Sequence, residues 1–398
     1  MMLKKSVGAA IGVAAMGAAA LSLGTGAAIG ADAKPCIGNS GPVTGPASFA
    51  GKSIRMGAEM AVDEINAAGG VLGKKLKFIQ YDDAGAPPRG VDNVRRIGLR
   101  DNCVAMLGGY HSTVALAMRD PIHEIKMVYV GVIAANTNVI ENGRNPNYMF
   151  RVSAKDRWVS KYLVAEALKR SANNKVGIMY ENTGWGKGAY PNIQAALGEK
   201  GLKEVGAETF NWRDTDMTPQ LIRLREAGAE ALVMWGLDRE GNQIMRSLQK
   251  IGWDPVKIGA WGFAGNLGEL AGKLANCSLI MQTYSWMGKL EPQAQKLYDI
   301  MRKRYGIRSQ KEIRMGSGVA DAYDAIHILA KAIKIAGSYD RQEVYEAMFK
   351  VKHDGLVMKY DPAFERTEER HDAILPSAYK LTAWYNGELL PFSQTPCK

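Results

Sequence analysis

The sequence predicts an α/β fold of two Rossmann-like lobes, each with a parallel central sheet. The chain has 398 residues, which suits two domains of ordinary size better than one core. From Lys34 onward, apolar strands alternate with amphipathic helices, the pattern of a parallel sheet covered by helices. A second series of the same kind begins at Lys175. Two such series imply a ligand site where the strand ends of both lobes face each other.

The first series predicts strands and helices in alternation. Apolar residues recur at helical spacing over 56–67, and Gly69 and Gly70 end that helix. Residues 75–81 alternate between apolar and polar, as a strand does. The remaining predicted elements are a helix over 93–99, a strand over 105–108, a helix over 114–124 and a strand over 128–132.

The second series predicts strands over 175–180 and 231–235 and helices over 190–200 and 240–251. Between them, Gly184, Gly186 and Gly188 lack the full dinucleotide-binding pattern, so we interpret them as a flexible loop that another segment approaches closely. No long Pro/Ser-rich stretch separates the two series. The connection is therefore expected to be a tight hinge.

Composition favours a globular protein with a small-molecule ligand. The chain is 46% apolar and 23% charged, with a formal net charge of +11. The basic residues are scattered among acidic ones, which indicates solvated faces, although the net charge favours an anionic solute or a negatively charged membrane surface. No basic stripe interleaved with aromatic residues occurs, so we expect no binding of nucleic acid.

The N-terminus predicts export. Lys4 and Lys5 precede an uncharged, Ala/Gly-rich run over residues 6–30. This pattern is typical of a signal peptide, here residues 1–33, with cleavage after Gly30 or Ala33 and a mature protein in the periplasm. An uncleaved membrane anchor is the alternative, but the run is only weakly hydrophobic. A lipoprotein needs a small residue directly before its cysteine, whereas Cys36 follows lysine and proline.

Four cysteines in an oxidising compartment predict two disulfides, and no Cys-x-x-Cys motif indicates a metal site. Cys36 and Cys103 each open a predicted strand, and neighbouring parallel strands bring such starts together. Cys277 and Cys397 form the remaining pair.

Motifs of catalysis are absent from the sequence. It contains no Gly-x-Ser-x-Gly, His-Glu-x-x-His or Walker A motif, and its five histidines are dispersed. We therefore expect no enzyme, no cofactor and no metal site.

Over nearly its whole mature length, the chain resembles the periplasmic solute-binding proteins of branched-chain amino-acid ABC transporters, the Leu/Ile/Val-binding family. The segments that carry the resemblance are 40–45 (SGPVTG), 57–73 (GAEMAVDEINAAGGVLG), 81–84 (YDDA), 184–188 (GWGKG) and 316–322 (GSGVADA). The resemblance implies a type I periplasmic binding fold, a small-molecule solute and the permease subunits of an ABC transporter as partners. We expect a monomer.

The resemblance also implies that the chain crosses between the lobes three times, near Ala154, Thr283 and Ala378. Lobe I then comprises residues 34–154 and 284–377, and lobe II residues 155–283 and 378–398. This division keeps each predicted disulfide within one lobe. The family has a further disulfide at positions that correspond to Gly85 and His111, so that bridge is absent here.

On lobe I, the segment 108–113 (GGYHST) enters a helix, so free backbone N–H groups and a hydroxyl can hold a carboxylate. As an isolated pattern, Ser112 would be an ordinary helix N-cap, but the resemblance places a carboxylate-binding serine there. The candidate residues of this segment are Tyr110, His111, Ser112 and Thr113. The resemblance adds a second loop with Ala134, Ala135 and Asn136, where Asn136 is either a ligand contact or a turn residue.

On lobe II, Trp185 occupies the position of an aromatic lid in the family, and Leu237 that of another aromatic neighbour of the ligand. Trp185 on a surface loop is the alternative. Trp261 and Gly262 stand where the amino-acid binders carry an acid that pairs with the ligand's ammonium group. Trp261 packed in the core is the competing interpretation.

A buried ammonium group without a counter-charge is costly, so the loss of this acid argues against an ordinary α-amino acid unless Asp156 or Asp238 substitutes for it. An apolar or aromatic carboxylic acid is therefore the leading ligand hypothesis. Branched-chain amino acids, urea and short amides are the alternative ligands, and a ligand sensor is the alternative to a transport component.

Overall fold

The structure is a computed structural model that describes residues 33–398. The predicted signal peptide, up to residue 32, lies outside the described residues. Its fourteen described strands are β1 (Lys34–Gly41), β2 (Lys77–Asp82), β3 (Cys103–Gly108), β4 (Val128–Gly131), β5 (Met149–Arg151), β6 (Val176–Glu181), β7 (Gly206–Phe210), β8 (Ala231–Trp235), β9 (Val256–Gly259), β10 (Ser278–Gln282), β11 (His353–Asp354), β12 (Lys359–Tyr360), β13 (Lys380–Tyr385) and β14 (Glu388–Pro391).

The helices cover the sheets and complete two lobes. Along the described chain they are α1 (Ser48–Ala67), α2 (Pro87–Arg95), α3 (Ser112–Ala117), α4 (Arg119–Glu124), α5 (Thr137–Ile140), α6 (Asp156–Leu168), α7 (Gly184–Gly198), α8 (Thr218–Glu226), α9 (Asp238–Lys250), α10 (Leu267–Ala271), α11 (Pro292–Tyr305), α12 (Gly316–Ala336) and α13 (Arg341–Met348). None of the helices between residues 33 and 398 has the length and hydropathy needed to span a bilayer.

The strands form two main sheets, which confirms the predicted α/β fold with parallel central sheets. The first sheet has the order β2-β1-β3-β4-β5, with all strands parallel. The second has the order β14-β13-β10-β9-β8-β6-β7 and is parallel except for β13 and β14. Strands β11 and β12 form a separate hairpin.

The chain leaves the first lobe after β5 and later returns to it. Helix α12 packs lengthwise on α1, and Gly57 permits this contact because a Cβ atom there would lie 2.0 Å from the carbonyl oxygen of Val319. Helix α13 also belongs to the first lobe, where the buried Arg341 donates to the carbonyl oxygen of Cys103. Strands β13 and β14 then rejoin the second sheet beside β10. The chain thus passes between the lobes three times, while the predicted lobe boundaries stay a prediction.

Buried charges join the crossing segments. Arg151 and Lys155, which are both fully buried, form ion pairs with Asp372. Lys155 also pairs with Glu141, and its backbone N–H donates to the hydroxyl of Tyr379 at 3.2 Å. Because a buried charge without a partner is strongly destabilising, these pairs hold the first and last crossings together.

Both disulfides have the predicted partners. Cys36 and Cys103 lie on the neighbouring parallel strands β1 and β3, with Cα atoms 4.8 Å apart. Cys277, just before β10, pairs with Cys397 across a Cα distance of 5.3 Å. Each bridge therefore stabilises one lobe and does not join the two.

Two predicted helices have different bounds in the structure. The helix predicted over 93–99 starts earlier, as α2, because two prolines fit its first turn, and it continues as a π-helix over Arg96–Arg100. The helix predicted over 114–124 is two short helices, α3 and α4. Pro121 lies in the first turn of α4, where a missing N–H group costs nothing.

The glycine-rich segment 184–188 is not a flexible loop, so that prediction is wrong. It forms the first turn of α7, and the hydroxyl of Thr183 caps this turn by accepting from the backbone N–H of Trp185 at 3.1 Å. The close approach, however, is real. A Cβ atom at Gly186 would lie 2.1 Å from the carbonyl oxygen of Glu181, and one at Gly188 would lie 2.1 Å from the side-chain nitrogen of Asn136.

Candidate ligand-binding site

A small cavity lies between the lobes, at the carboxyl ends of both sheets. We call it the inner chamber. From the loops after β3 and β4 it is lined by Tyr110, His111, Ser112, Thr113 and Ile133. From the second lobe it is lined by Glu181, Trp185, Trp212, Leu237, Trp261 and Gly262. The structure thus brings eight of the twelve candidate ligand residues around one space.

A second, larger cavity, the outer chamber, lies next to the first. Four residues line both chambers: Tyr110, His111, Trp212 and Leu237. The outer chamber is also bounded by Phe49 of α1 and by the start of α9. The two chambers are therefore successive parts of one interlobe cleft.

Ser112 is the first residue of α3 and is 4% exposed. The N-cap position belongs to His111, so the interpretation of Ser112 as the N-cap is wrong. Its hydroxyl instead accepts from the backbone N–H of Asn136 at 3.2 Å, which joins the two loops of the lobe I wall. The first N–H groups of a helix have no partner within the helix, so this wall offers donors to an anionic oxygen.

Apart from Ile133, the second lobe I loop supports the inner chamber without lining it. The carbonyl oxygens of Ala134 and Asn136 accept from the buried guanidinium of Arg151 at 3.1 and 2.9 Å. The carbonyl oxygen of Ala135 accepts from the N–H of Asp156 at 2.9 Å. These bonds fix the loop at the start of the hinge.

The side chain of Asn136 is already engaged. Its oxygen caps α5 by accepting from the N–H of Asn138 at 2.8 Å, as a turn residue would. Its nitrogen donates to the carbonyl oxygen of Gly184 at 2.8 Å. Since Gly184 starts α7 of the second lobe, Asn136 joins the two lobes across the cleft.

Aromatic side chains form most of the second wall. Trp185 is 7% exposed, so it is not a surface aromatic residue. Its ring lies against Gly262, where a Cβ atom would be 2.7 Å from an indole carbon, and its centroid is 5.9 Å from that of Trp235. Trp261 opens a 3₁₀ turn over Trp261–Phe263 and is 2% exposed. It is buried and also lines the chamber, and its contact with a ligand stays a prediction.

A model of the periplasmic binding protein family matches residues 36–379 of this chain. The chain belongs to this family. It is a substrate-binding protein of the type that serves ABC transporters, and the resemblance to the branched-chain amino-acid group is confirmed. Proteins of this family bind solutes and are not enzymes.

Similar proteins share the whole fold. The Leu/Ile/Val-binding protein homolog 3 of Brucella melitensis is 26% identical over 355 residues, which is 89% of this chain and 92% of the relative. A type 1 periplasmic binding protein from Bordetella pertussis has a TM-score of 0.80 at 25% identity and covers 91% of this chain and 100% of its own. An ABC transporter solute-binding protein from Rhodopseudomonas palustris, in complex with p-hydroxybenzoic acid, has a TM-score of 0.75 at 20% identity, with 89% and 95% covered.

Three residues that line the inner chamber of this binding protein were not among the predicted site residues: Ile133, Glu181 and Trp212. Glu181 ends β6 and is 1% exposed, and its carboxylate accepts from the indole N–H of Trp212 at 3.0 Å and from the hydroxyl of Thr183. Burial raises the pKa of Glu181 to about 7, and the nearby Glu240 adds to the shift. The position of Glu181 at a strand end was a usable signal, whereas Trp212 follows β7, a strand the sequence pattern did not reveal.

Asp156, a candidate counter-charge, lies behind the chamber. It is the first residue of α6 and is 1% exposed, and neither carboxylate oxygen accepts a hydrogen bond of normal geometry within residues 33–398. Burial raises the pKa of Asp156 to about 8, although Arg151 and the indole of Trp185 oppose the shift. Asp156 is therefore placed to influence Trp185 and does not line either chamber.

His111 fills the place of the missing family disulfide. Gly85 has a φ of 74°, and a Cβ atom there would lie 2.9 Å from the imidazole of His111. The Tyr-Asp-Asp loop and the ligand loop are thus in contact through this ring. Burial lowers the pKa of His111 to about 4, so the imidazole is neutral at neutral pH.

Proposed function

We propose that this periplasmic binding protein captures a small carboxylic acid with an apolar or aromatic body and presents it to the permease of an ABC importer. The inner chamber is the site of capture. The observation that carries the proposal is the make-up of this chamber: hydroxyl and N–H groups of the Ser112 loop face an opposite wall of Trp185 and Trp261.

The carboxylate belongs on the lobe I wall. Ser112 and Thr113 supply hydroxyls there, together with the backbone N–H groups of the first turn of α3. No lysine or arginine of the described chain lines the inner chamber, so hydrogen bonds hold the anion. Such bonds to an ionised group are stronger than those between neutral groups.

The body of the ligand belongs against the indoles. Aromatic side chains contribute a large apolar area and favour offset or edge-to-face contact with another ring. Trp261 occupies the position that holds an acid in the amino-acid binders, so no carboxylate awaits an ammonium group there. A relative of the same fold is in complex with p-hydroxybenzoic acid, a ligand of the proposed kind.

A branched-chain amino acid is the second candidate, because Glu181 lines the inner chamber and could pair with an ammonium group. Two considerations place it second. The carboxylate already accepts from Trp212 and Thr183, and with a pKa near 7 it is only partly ionised at neutral pH. The Leu/Ile/Val-binding homolog in Brucella melitensis supports this candidate through its name.

A thermal-shift screen of the mature protein decides between these ligands, since a ligand that binds only the native state raises the melting temperature. The panel contains 4-hydroxybenzoate, phenylacetate, leucine, isoleucine, urea and acetamide. Stabilisation by the two aromatic acids alone supports the proposal. Stabilisation by leucine that is lost in Glu181→Gln establishes the second candidate, and stabilisation by urea or acetamide alone overturns both.

Export and assembly complete the proposal. We infer cleavage of the leader near residues 30–33, a monomer in the periplasm, and closure of the two lobes over the ligand. N-terminal sequencing of the secreted protein and its elution volume test the first two inferences. Uptake of the identified acid that requires both this protein and a permease distinguishes transport from sensing.

A further inference from the structure

We propose that the outer chamber is a second ligand compartment and that Asp238 binds a cationic hydrogen-bond donor, such as an alkylammonium group, within it. This inference rests on the proposed function, because it assigns the far end of a ligand whose carboxylate lies in the inner chamber. It predicts an elongated solute with an acid at one end and an amine at the other.

The outer chamber is a built space between both lobes. It is the larger of the two chambers, and it continues directly from the inner chamber past Tyr110, His111 and Leu237. Phe49 and Leu270 add apolar surface from opposite lobes. A ligand that passes Leu237 would therefore keep an apolar stem in contact with protein and reach the start of α9.

Asp238 is a buried acidic residue in the wall of the outer chamber. It is 4% exposed and is the first residue of α9. One carboxylate oxygen accepts from the N–H groups of Gly265 and Leu267 at 3.2 and 3.1 Å. The other oxygen is buried and accepts no hydrogen bond from residues 33–398. This second oxygen of Asp238 can therefore accept a hydrogen bond that no described residue donates.

No described cation pairs with Asp238. Arg213 and Arg239 also line the outer chamber, but both are exposed, so water and salt screen their charges. Glu240, 3% exposed, adds a second acid and accepts from the N–H of Arg213 at 2.9 Å. Desolvation raises the pKa of Asp238 to about 7, although backbone N–H groups and the charge of Arg314, which forms its own ion pair with Glu269, oppose the shift.

A second buried polar atom without a partner lies at the junction of the chambers. The Nδ1 atom of His111 makes no hydrogen bond with the described residues, and its ring is neutral. A neutral imidazole offers one donor and one acceptor. His111 can thus contact the middle of an elongated ligand without repelling its ammonium end.

The test uses calorimetry at pH 8 with benzoates that differ only at the para position. Each benzoate carries one of three kinds of para substituent. These are an aminoalkyl chain of one, two or three methylenes, an alkyl chain of the same length, and a carboxyalkyl chain of the same length. The best aminoalkyl compound should bind at least 10-fold more tightly than its alkyl partner, and the carboxyalkyl compound should bind more weakly. Asp238→Asn keeps an oxygen that can accept from the N–H groups of Gly265 and Leu267. In this variant, the gain in affinity of the aminoalkyl compound over its alkyl partner should fall from 10-fold to below 3-fold.

Three controls make the outcome decisive. Asp254→Asn removes the same charge from a side chain of the second lobe that is 88% exposed, and it should keep the gain. If Asp238→Asn does not fold, Leu270→Lys places a cation at a 39% exposed position of the chamber wall and should abolish the gain, whereas Leu270→Gln should not. An equal gain in wild type, Asp238→Asn and Leu270→Lys overturns the proposal.

A probe without a carboxylate separates this inference from the proposed function. 2-Phenylethylamine should bind wild type and lose at least 10-fold in affinity in Asp238→Asn. If this loss occurs while no benzoate binds, the proposed function fails and the amine site stands. If the alkylbenzoates bind but neither the amine nor the aminoalkyl chain responds to Asp238→Asn, the amine site fails and the proposed function stands.

Discussion

The two walls of the cleft present their ligand-facing groups in different ways. The lobe I wall uses a hydroxyl and backbone groups of short loops that follow β3 and β4, with Ser112 and Asn136 bonded to each other. The lobe II wall uses large side chains from the ends of four strands, including Trp185, Trp261 and the buried Glu181. The comparison teaches that, under the proposed function, one wall would hold a constant head group while the other would determine which ligand body fits.

The largest expected effect comes from the lobe I wall. Ser112→Ala removes a hydroxyl that would contact the carboxylate, so it should weaken every carboxylate ligand by about 1–3 kcal/mol, roughly 5- to 150-fold. Calorimetry measures the loss. Ser278→Ala removes a buried hydroxyl from the second lobe and should leave the affinity unchanged. Unaltered affinity in Ser112→Ala would remove this residue from the site.

A smaller and selective effect is expected from the lobe II wall. Trp185→Leu keeps apolar volume but loses ring contact, so aromatic acids should bind about 10-fold more weakly and aliphatic acids less than 3-fold. The ratio of the two affinities is the measured quantity. Trp253→Leu, at a half-buried position outside both chambers, is the matched control. An equal loss for both ligand classes would contradict the division of roles between the walls.

The smallest effect concerns the stability of the lobe II side of the cleft. Burial raises the pKa of Asp156 to about 8 from an ordinary value near 3.8, so the folded state retains a proton that the unfolded state loses. The stability contributed by this group is complete below about pH 4 and is lost as the pH rises toward 8. Asp156→Asn should therefore gain about 1 kcal/mol relative to wild type for each pH unit between pH 5 and pH 7.

Urea unfolding at both pH values measures this gain. Asp254→Asn, at a carboxylate that is 88% exposed, is the matched control. An equal free-energy difference between Asp156→Asn and wild type at pH 5 and pH 7 would contradict the raised pKa of Asp156.

Local patterns predicted the lobe I wall because its chemistry is contained in short segments. The order of strand, glycine turn and helix placed Ser112 correctly at the start of α3. The disulfide between Cys36 and Cys103 followed from strand order, since both cysteines lie near the starts of neighbouring strands, and Cys277 and Cys397 were then the remaining pair.

The lobe II wall was harder to predict because its contacts join distant segments. The hydrogen bond from Trp212 to Glu181 spans 31 positions, and nothing local to either residue signals it. The helix at Gly184 was missed because glycine disfavours helices, yet the Thr183 cap and the close approach of Asn136 select it. The outer chamber arises only when both lobes are placed together.

Small-angle scattering tests most directly whether one ligand is held by both walls at once. The lobes are in contact across the cleft in this structure, through Asn136 and Gly184. The free protein should sample more open shapes, and saturation with the acid found in the ligand screen should lower the radius of gyration to that of the closed arrangement. An identical scattering profile with and without saturating ligand would contradict closure and, with it, binding by two walls.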